Sequence, residues 1–341
     1  MVDGCLTLVL LIGLLVVAFS HASFSDSCDN LFSREWATVL KGVCCIVVIL
    51  VHIPKEYSTK LQNLVGSFAY IAVTTFFFLS GYGVNISKNK REYMKHFWRN
   101  RVVSLFVPMA LGNVLRLCVY RFFGAEASVF WSLLHVDGFV LMMSLCYAAF
   151  YVVYGLNIVK KYRVAGICGL TVCISIVTYI LEKAIPFTVW PVPCLGFMYG
   201  VILAEYRDRV KAYLERCRLL DAKTWVLVFS TFLLGGGYLK AKKIIFIGDY
   251  VLRGVLGLTV ILLVVKALSW FNLGNKAINV LGSISYEVYL THGLVISTLT
   301  ILCGDLKPGA FILSSVIVTI IVSYIVHLID LKIIQKLRVS I

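Results

Sequence analysis

Two ionisable residues in one apolar run, Lys41 and His52 in LKGVCCIVVILVHIPKEY, set the first chemical question. Eleven residues is close to a whole number of helical turns. On a helix both side chains then project from one face, about 16 Å apart along the axis. A neutral imidazole suits proton abstraction from an alcohol, because its pKa lies near working pH. The plainer reading is a lysine snorkelling to one membrane surface and a histidine at the other, just before the helix breaker Pro54. Spacing alone leaves both readings open.

Two further segments hold polar residues where apolar ones are expected. The phrase FFFLSGYGVN (76–85) places Ser80, Gly81 and Gly83 at a helix end, next to a basic stretch containing Arg99 and Arg101. Small residues there serve close helix packing, or else a backbone that opens to a ligand whose phosphates the arginines hold. The phrase LGSISYEVYLTHGLVI (281–296) repeats Ser285, Tyr289 and His292 at i, i+4 and i+7, one polar stripe on an apolar helix, with Glu287 off it. Such a stripe must face protein or water. His135 and Asp137 read as a solvated loop, and His327 and Asp330 as interfacial residues near the last helix end. No alcohol-nucleophile or metal-hydrolase signature occurs, and no metal is implied.

These residues must be positioned by membrane helices. Of 341 residues, 60% are hydrophobic and 14% charged, and the mean hydropathy is +0.91. A soluble domain of this length needs a charged surface; here the charges sit in short runs between long apolar stretches. The net charge of +15 marks loops on one side of a membrane rather than a nucleic-acid partner. The eleven cysteines, most of them inside apolar spans, read as buried small hydrophobes.

About eleven segments approach the length needed to cross ~30 Å of hydrocarbon: 5–20, 37–53, 64–86, 103–123, 138–158, 164–182, 190–206, 223–239, 249–271, 280–303 and 310–330, the short 190–206 span being the weakest. The expected fold is all-α, a polytopic transmembrane bundle of about ten core helices plus one extra N-terminal helix. Residues 1–33 form the extra helix and linker, and 34–335 the main domain. Basic runs at 88–101, 160–163, 207–223 and 332–338 share one side if the helices alternate, which makes that side cytoplasmic. Lys240, Lys242 and Lys243 are the exception on the other side. Ser20-His21-Ala22 resembles a signal cleavage site, but Asp3 stands where a basic n-region belongs. Cleavage would also reverse every later loop, so an uncleaved helix is expected.

Taken in order, these segments resemble the bacterial acyltransferase-3 family of integral-membrane O-acyltransferases. That family carries a basic residue, ten intervening residues and a histidine, matched by Lys41 and His52. It also carries a phrase like FFxLSGF, matched by 77–82, and ISYxxYLxH, matched by Ile284, Ser285, Tyr286, Tyr289, Leu290 and His292. The resemblance runs from about residue 34 to 330. Departures are Lys41 for the usual arginine, Ser104 in place of the second arginine of an Arg-x-x-Arg ahead of Pro108, Met143-Ser144-Leu145 for Trp-Phe-Leu, and the extra segment 5–20.

The resemblance implies transfer of an acyl group, most often acetyl, from cytoplasmic acyl-CoA to a hydroxyl of an extracytoplasmic glycan or lipid-linked sugar, in a bacterial inner membrane. It implies His52 as base, with Lys41, Arg99 and Arg101 toward the donor and Ser80, Ser285, Tyr289 and His292 lining the cavity. The alternative is a transporter of a sugar or lipid intermediate, whose polar stripes form a path rather than a site.

Overall fold

The computed structural model describes residues 8, 9, 12, 13, 15–17, 19–24, 28, 31, 33–124, 126, 128–156, 158–184, 189–216, 221–272 and 275–339. The short strand β1 (Ser23–Phe24) precedes a run of helices: α1 (Arg34–Val51), α2 (Lys60–Ser67), α3 (Tyr70–Ser87), α4 (Phe97–Phe122), α5 (Val129–Leu133), α6 (Gly138–Gly155), α7 (Lys160–Ala184), α8 (Leu195–Glu205), α9 (Arg207–Glu215) and α10 (Ala222–Ala241). A π-helical turn at 247–252 leads into α11 (Arg253–Leu268), then β2 (Phe271–Asn272), α12 (Lys276–Ser283), α13 (Ser285–Leu302) and α14 (Pro308–Val339). β1 pairs antiparallel with β2. The architecture is an all-α polytopic bundle, and among the described residues six helical stretches are long and apolar enough to cross a membrane.

Local chemistry sets several boundaries. Ser33 opens α1 by accepting the Trp36 amide, and Thr59 with Gln62 forms a reciprocal capping box on α2. The Gln62 amide also donates to the Leu50 carbonyl (3.0 Å) in the last turn of α1, where intrahelical donors run out. Asp137, Asp221 and Asn275 cap α6, α10 and α12 in the same way.

The centre of the bundle is α1, α3, α6, α8 and α13, with Phe77, Phe150, Phe197 and Ile49 fully enclosed. The outer helices face the other way. Phe229, Phe232 and Leu233 on α10 are 70%, 78% and 66% exposed, a surface that is stable only with lipid as its solvent.

Three expected spans differ in form. Segment 190–206 holds α8, only 11 residues and so about 16 Å long, roughly half the hydrocarbon thickness. Segment 64–86 is a helix pair bent at 68–69, and 280–303 divides at Ile284 into α12 and α13. Of the expected N-terminal helix 5–20, residues 8, 9, 12, 13, 15–17, 19 and 20 are described and the others lie outside the described residues; Val9, Gly13 and Val17 line a groove with Ile46, Ala277, Val316 and Ile320. The far-side lysine run sits just before the π-helical turn, where Lys242 donates to Ser67. Not every cysteine is buried: Cys118 and Cys173 lie on the outer, exposed face.

Candidate active site

His52 is the C-cap of α1. Its Nδ1 lies 2.8 Å from the Val48 carbonyl oxygen. A carbonyl only accepts, so Nδ1 donates and the neutral ring keeps its lone pair on Nε2. His292 on α13 repeats the arrangement against the Val288 carbonyl at 3.0 Å. The two ring centroids are 4.5 Å apart and cross at 64°. His292 is buried, whereas His52 is exposed to a cavity of about 580 Å³ that Arg116, Asp137, Trp190, Tyr289 and both histidines line. Of the two, His52 is the ring a hydroxyl can reach.

A second cavity of about 160 Å³ lies toward the basic end, lined by Lys41, Ser80, Ser104, Ser285, Tyr286 and Tyr289 among others. Tyr289 is in the wall of both cavities. Its hydroxyl donates to Asp137 Oδ1 (2.8 Å), and its ring lies 4.8 Å from Phe139, in the first turn of α6. Tyr289 thus forms the partition between the chambers, with Phe139 behind it on the inner side. Pro108 has no amide hydrogen, so the Ser104 carbonyl loses its helical donor beside the inner cavity. The Tyr286 hydroxyl donates to the next carbonyl, Leu105, at 2.8 Å.

The fold therefore gathers Lys41, Ser80 and Ser285 in one chamber and His52 and His292 in the other, joined by Tyr289. Arg99 and Arg101 line neither. Arg101 is held in an aromatic box, its guanidinium 4.9 Å from the Tyr147 ring centre, 5.7 Å from Phe97 and 5.9 Å from Tyr93, with Nη2 donating to the Tyr93 hydroxyl. Between the two readings of the Ser80-Gly81 segment, the geometry divides the labour. A Cβ on Gly81 would overlap the Phe197 carbonyl, so Gly81 serves packing on an unbroken α3, while Ser80 faces the cavity.

Several residues look different in three dimensions. His135 and Asp137 are not a free solvated loop: Asn113 on α4 donates to the His135 carbonyl at 2.8 Å, and Asp137 caps α6 while holding Tyr289. Glu287 and Asp330 are both 3% exposed, and His327 is not interfacial but pairs with Glu287 at 2.6 Å. Arg116, Asp137 and Trp190 are the lining residues that sequence reasoning passed over. A charge inside an apolar span marks Arg116, and an Asp-Gly pair ahead of an apolar run marks the Asp137 cap.

A family model described as an acyltransferase domain matches residues 34–328. No curated protein and no solved structure matches the chain.

Proposed function

The chain belongs to the acyltransferase-3 family, a membrane acyltransferase family, and on that premise we propose that it is an O-acetyltransferase. In this reading it moves the acetyl group of cytoplasmic acetyl-CoA to a hydroxyl on an extracytoplasmic glycan or lipid-linked sugar, in a bacterial inner membrane. The observation that carries it is the division of the site: a cation, Lys41, in a chamber near the basic end and an accessible imidazole, His52, in a chamber toward the other end, on one helix and with one shared wall residue.

The donor enters from the basic side. Arg99 and Arg101, near the start of α4, hold its phosphates, and Lys41 guides the acyl arm past Ser80 and Ser285. Arg101 is the more constrained of the two arginines because of its aromatic box. The thioester carbonyl comes to rest at the Tyr289 partition, within reach of the acceptor in the outer chamber. His52 Nε2 takes the proton of the acceptor hydroxyl, and the oxygen attacks the thioester carbonyl. The C–S bond then breaks, and the departing thiolate takes up the proton, leaving an ester and free CoA thiol. General-base assistance of this kind is worth about 10²–10⁴-fold. Tyr289 and His292 orient the thioester.

The test is transfer from labelled acetyl-CoA in native-host membranes, wild type against His52→Ala with both proteins at equal abundance. Base-labile label that appears only with wild type supports the class and the base together. Equal label in both variants removes His52. An absence of label and of thiol release in wild type moves the reading to the transporter.

A further inference from the structure

We infer that the acceptor is anionic, and that Arg116 binds its phosphate or carboxylate while His52 takes the proton of its hydroxyl; this rests on the acyl-transfer reading above. Arg116 lies on α4, nineteen residues beyond Phe97 and so about 28 Å along the helix axis, in the wall of the same 580 Å³ cavity as His52. A cation in a membrane-spanning helix is costly and is normally paired. Among the described residues no carboxylate forms an ion pair with Arg116 and no acceptor takes a hydrogen bond from it.

The carboxyl group in that wall is Asp137, and its Oδ1 is already engaged. Its Oδ1 accepts the Phe139 amide and the Tyr289 hydroxyl, both at 2.8 Å. It also caps the N-terminus of an 18-residue helix, where the aligned peptide dipoles favour a negative charge. Among the described residues the cavity thus presents one guanidinium with no ion-paired or hydrogen-bonded partner, open to whatever fills the chamber.

A guanidinium fork matches the paired oxygens of phosphate and carboxylate. Trp190 and Tyr120 add flat aromatic faces to the same wall, suited to the C–H face of a sugar ring. The shared chemistry is therefore an oxyanion on or beside a sugar, either the carboxylate of an acidic sugar or the phosphate that links a sugar to lipid.

Two measurements test this. Binding of inorganic pyrophosphate, glucuronate and neutral glucose to the purified full chain in detergent is compared for wild type, Arg116→Lys and Arg116→Gln. At least one anion is expected to bind, weakened tenfold or more by Arg116→Gln and less by Arg116→Lys, with glucose indifferent to the substitution. In native-host membranes the labelled acetylated product is then passed over an anion exchanger. Retained label that extracts into organic solvent and loses its charge on mild acid hydrolysis identifies a lipid-linked phosphate. Retained label that stays aqueous and charged identifies an acidic sugar. A neutral labelled product, or anion binding that ignores Arg116, overturns the inference. If anion binding depends on Arg116 but no acyl group moves in wild type, the acyl-transfer reading falls and the anion site stands.

Discussion

At the residue scale the proposed chemistry turns on one lone pair. His52 keeps Nε2 free because Val48 takes the Nδ1 proton, so His52→Ala is expected to lower acetyl transfer at least a hundredfold, read as labelled ester in membranes of equal protein content. Lys41 acts on the donor instead. Lys41→Ala is expected to raise the half-saturating acetyl-CoA concentration severalfold with a smaller change in kcat, and Lys41→Arg to restore it, since the charge is what the inner chamber needs. An unchanged requirement for acetyl-CoA would remove Lys41 from the donor site. Tyr289→Phe keeps the ring of the partition and deletes its bond to Asp137. The expected loss is about 0.5–1.5 kcal/mol of stability, seen as a lower melting temperature in detergent.

At the scale of elements, the packing of α3 on α8 holds the helix that brings Phe76 and Ser80 to the inner chamber. Added Cβ atoms on Gly81, Gly196 or Gly200 would overlap backbone atoms of the facing helix, whereas one on Gly83 meets nothing within 4 Å. Gly200→Leu is therefore expected to abolish folded, monodisperse protein, and Gly83→Ala to leave it intact, as fluorescence size-exclusion chromatography would record. Overpacking of even one or two methylenes costs about 1–3 kcal/mol, and here the obstacle is backbone, which has no rotamer to yield. The α13–α14 contact includes a carboxyl–imidazole pair, Glu287 with His327. His327→Ala strands Glu287, which is 3% exposed, and loss of one partner of a buried pair costs about 3–5 kcal/mol. A melting temperature equal to wild type would show that water or another group replaces the imidazole.

At the scale of the whole molecule, the proposed mechanism requires that the two chambers open toward opposite sides of the membrane. A reporter enzyme active only outside the cytoplasm is expected to stay silent when fused after Lys90, Lys161 or Arg209, and to be active when fused after Glu126 or Asp305. The reverse pattern would put acyl-CoA at the wrong end of α1. β1 pairs with β2 between α11 and α12, at the end where α1 begins.

The sequence by itself determined the membrane class, the approximate place of most spans, and the shared face of Lys41 and His52. These follow from hydropathy and helical period, which act along a single segment and need no partner. The ordered motifs brought the family within reach as well, because their order survives without a fold. Only the tertiary structure decided that His52 meets His292, that Lys41 shares a chamber with Ser80 and Ser285, and that Tyr289 divides the two. The same holds for Asp137, whose cap role was local but whose grip on Tyr289 joins residues 152 positions apart. It holds again for Glu287, which a stripe on one helix places off the site and a neighbouring helix pairs with His327. Helical periodicity assigns a residue to a face; which helix that face meets is set by packing between segments distant in the chain, and no local pattern encodes it.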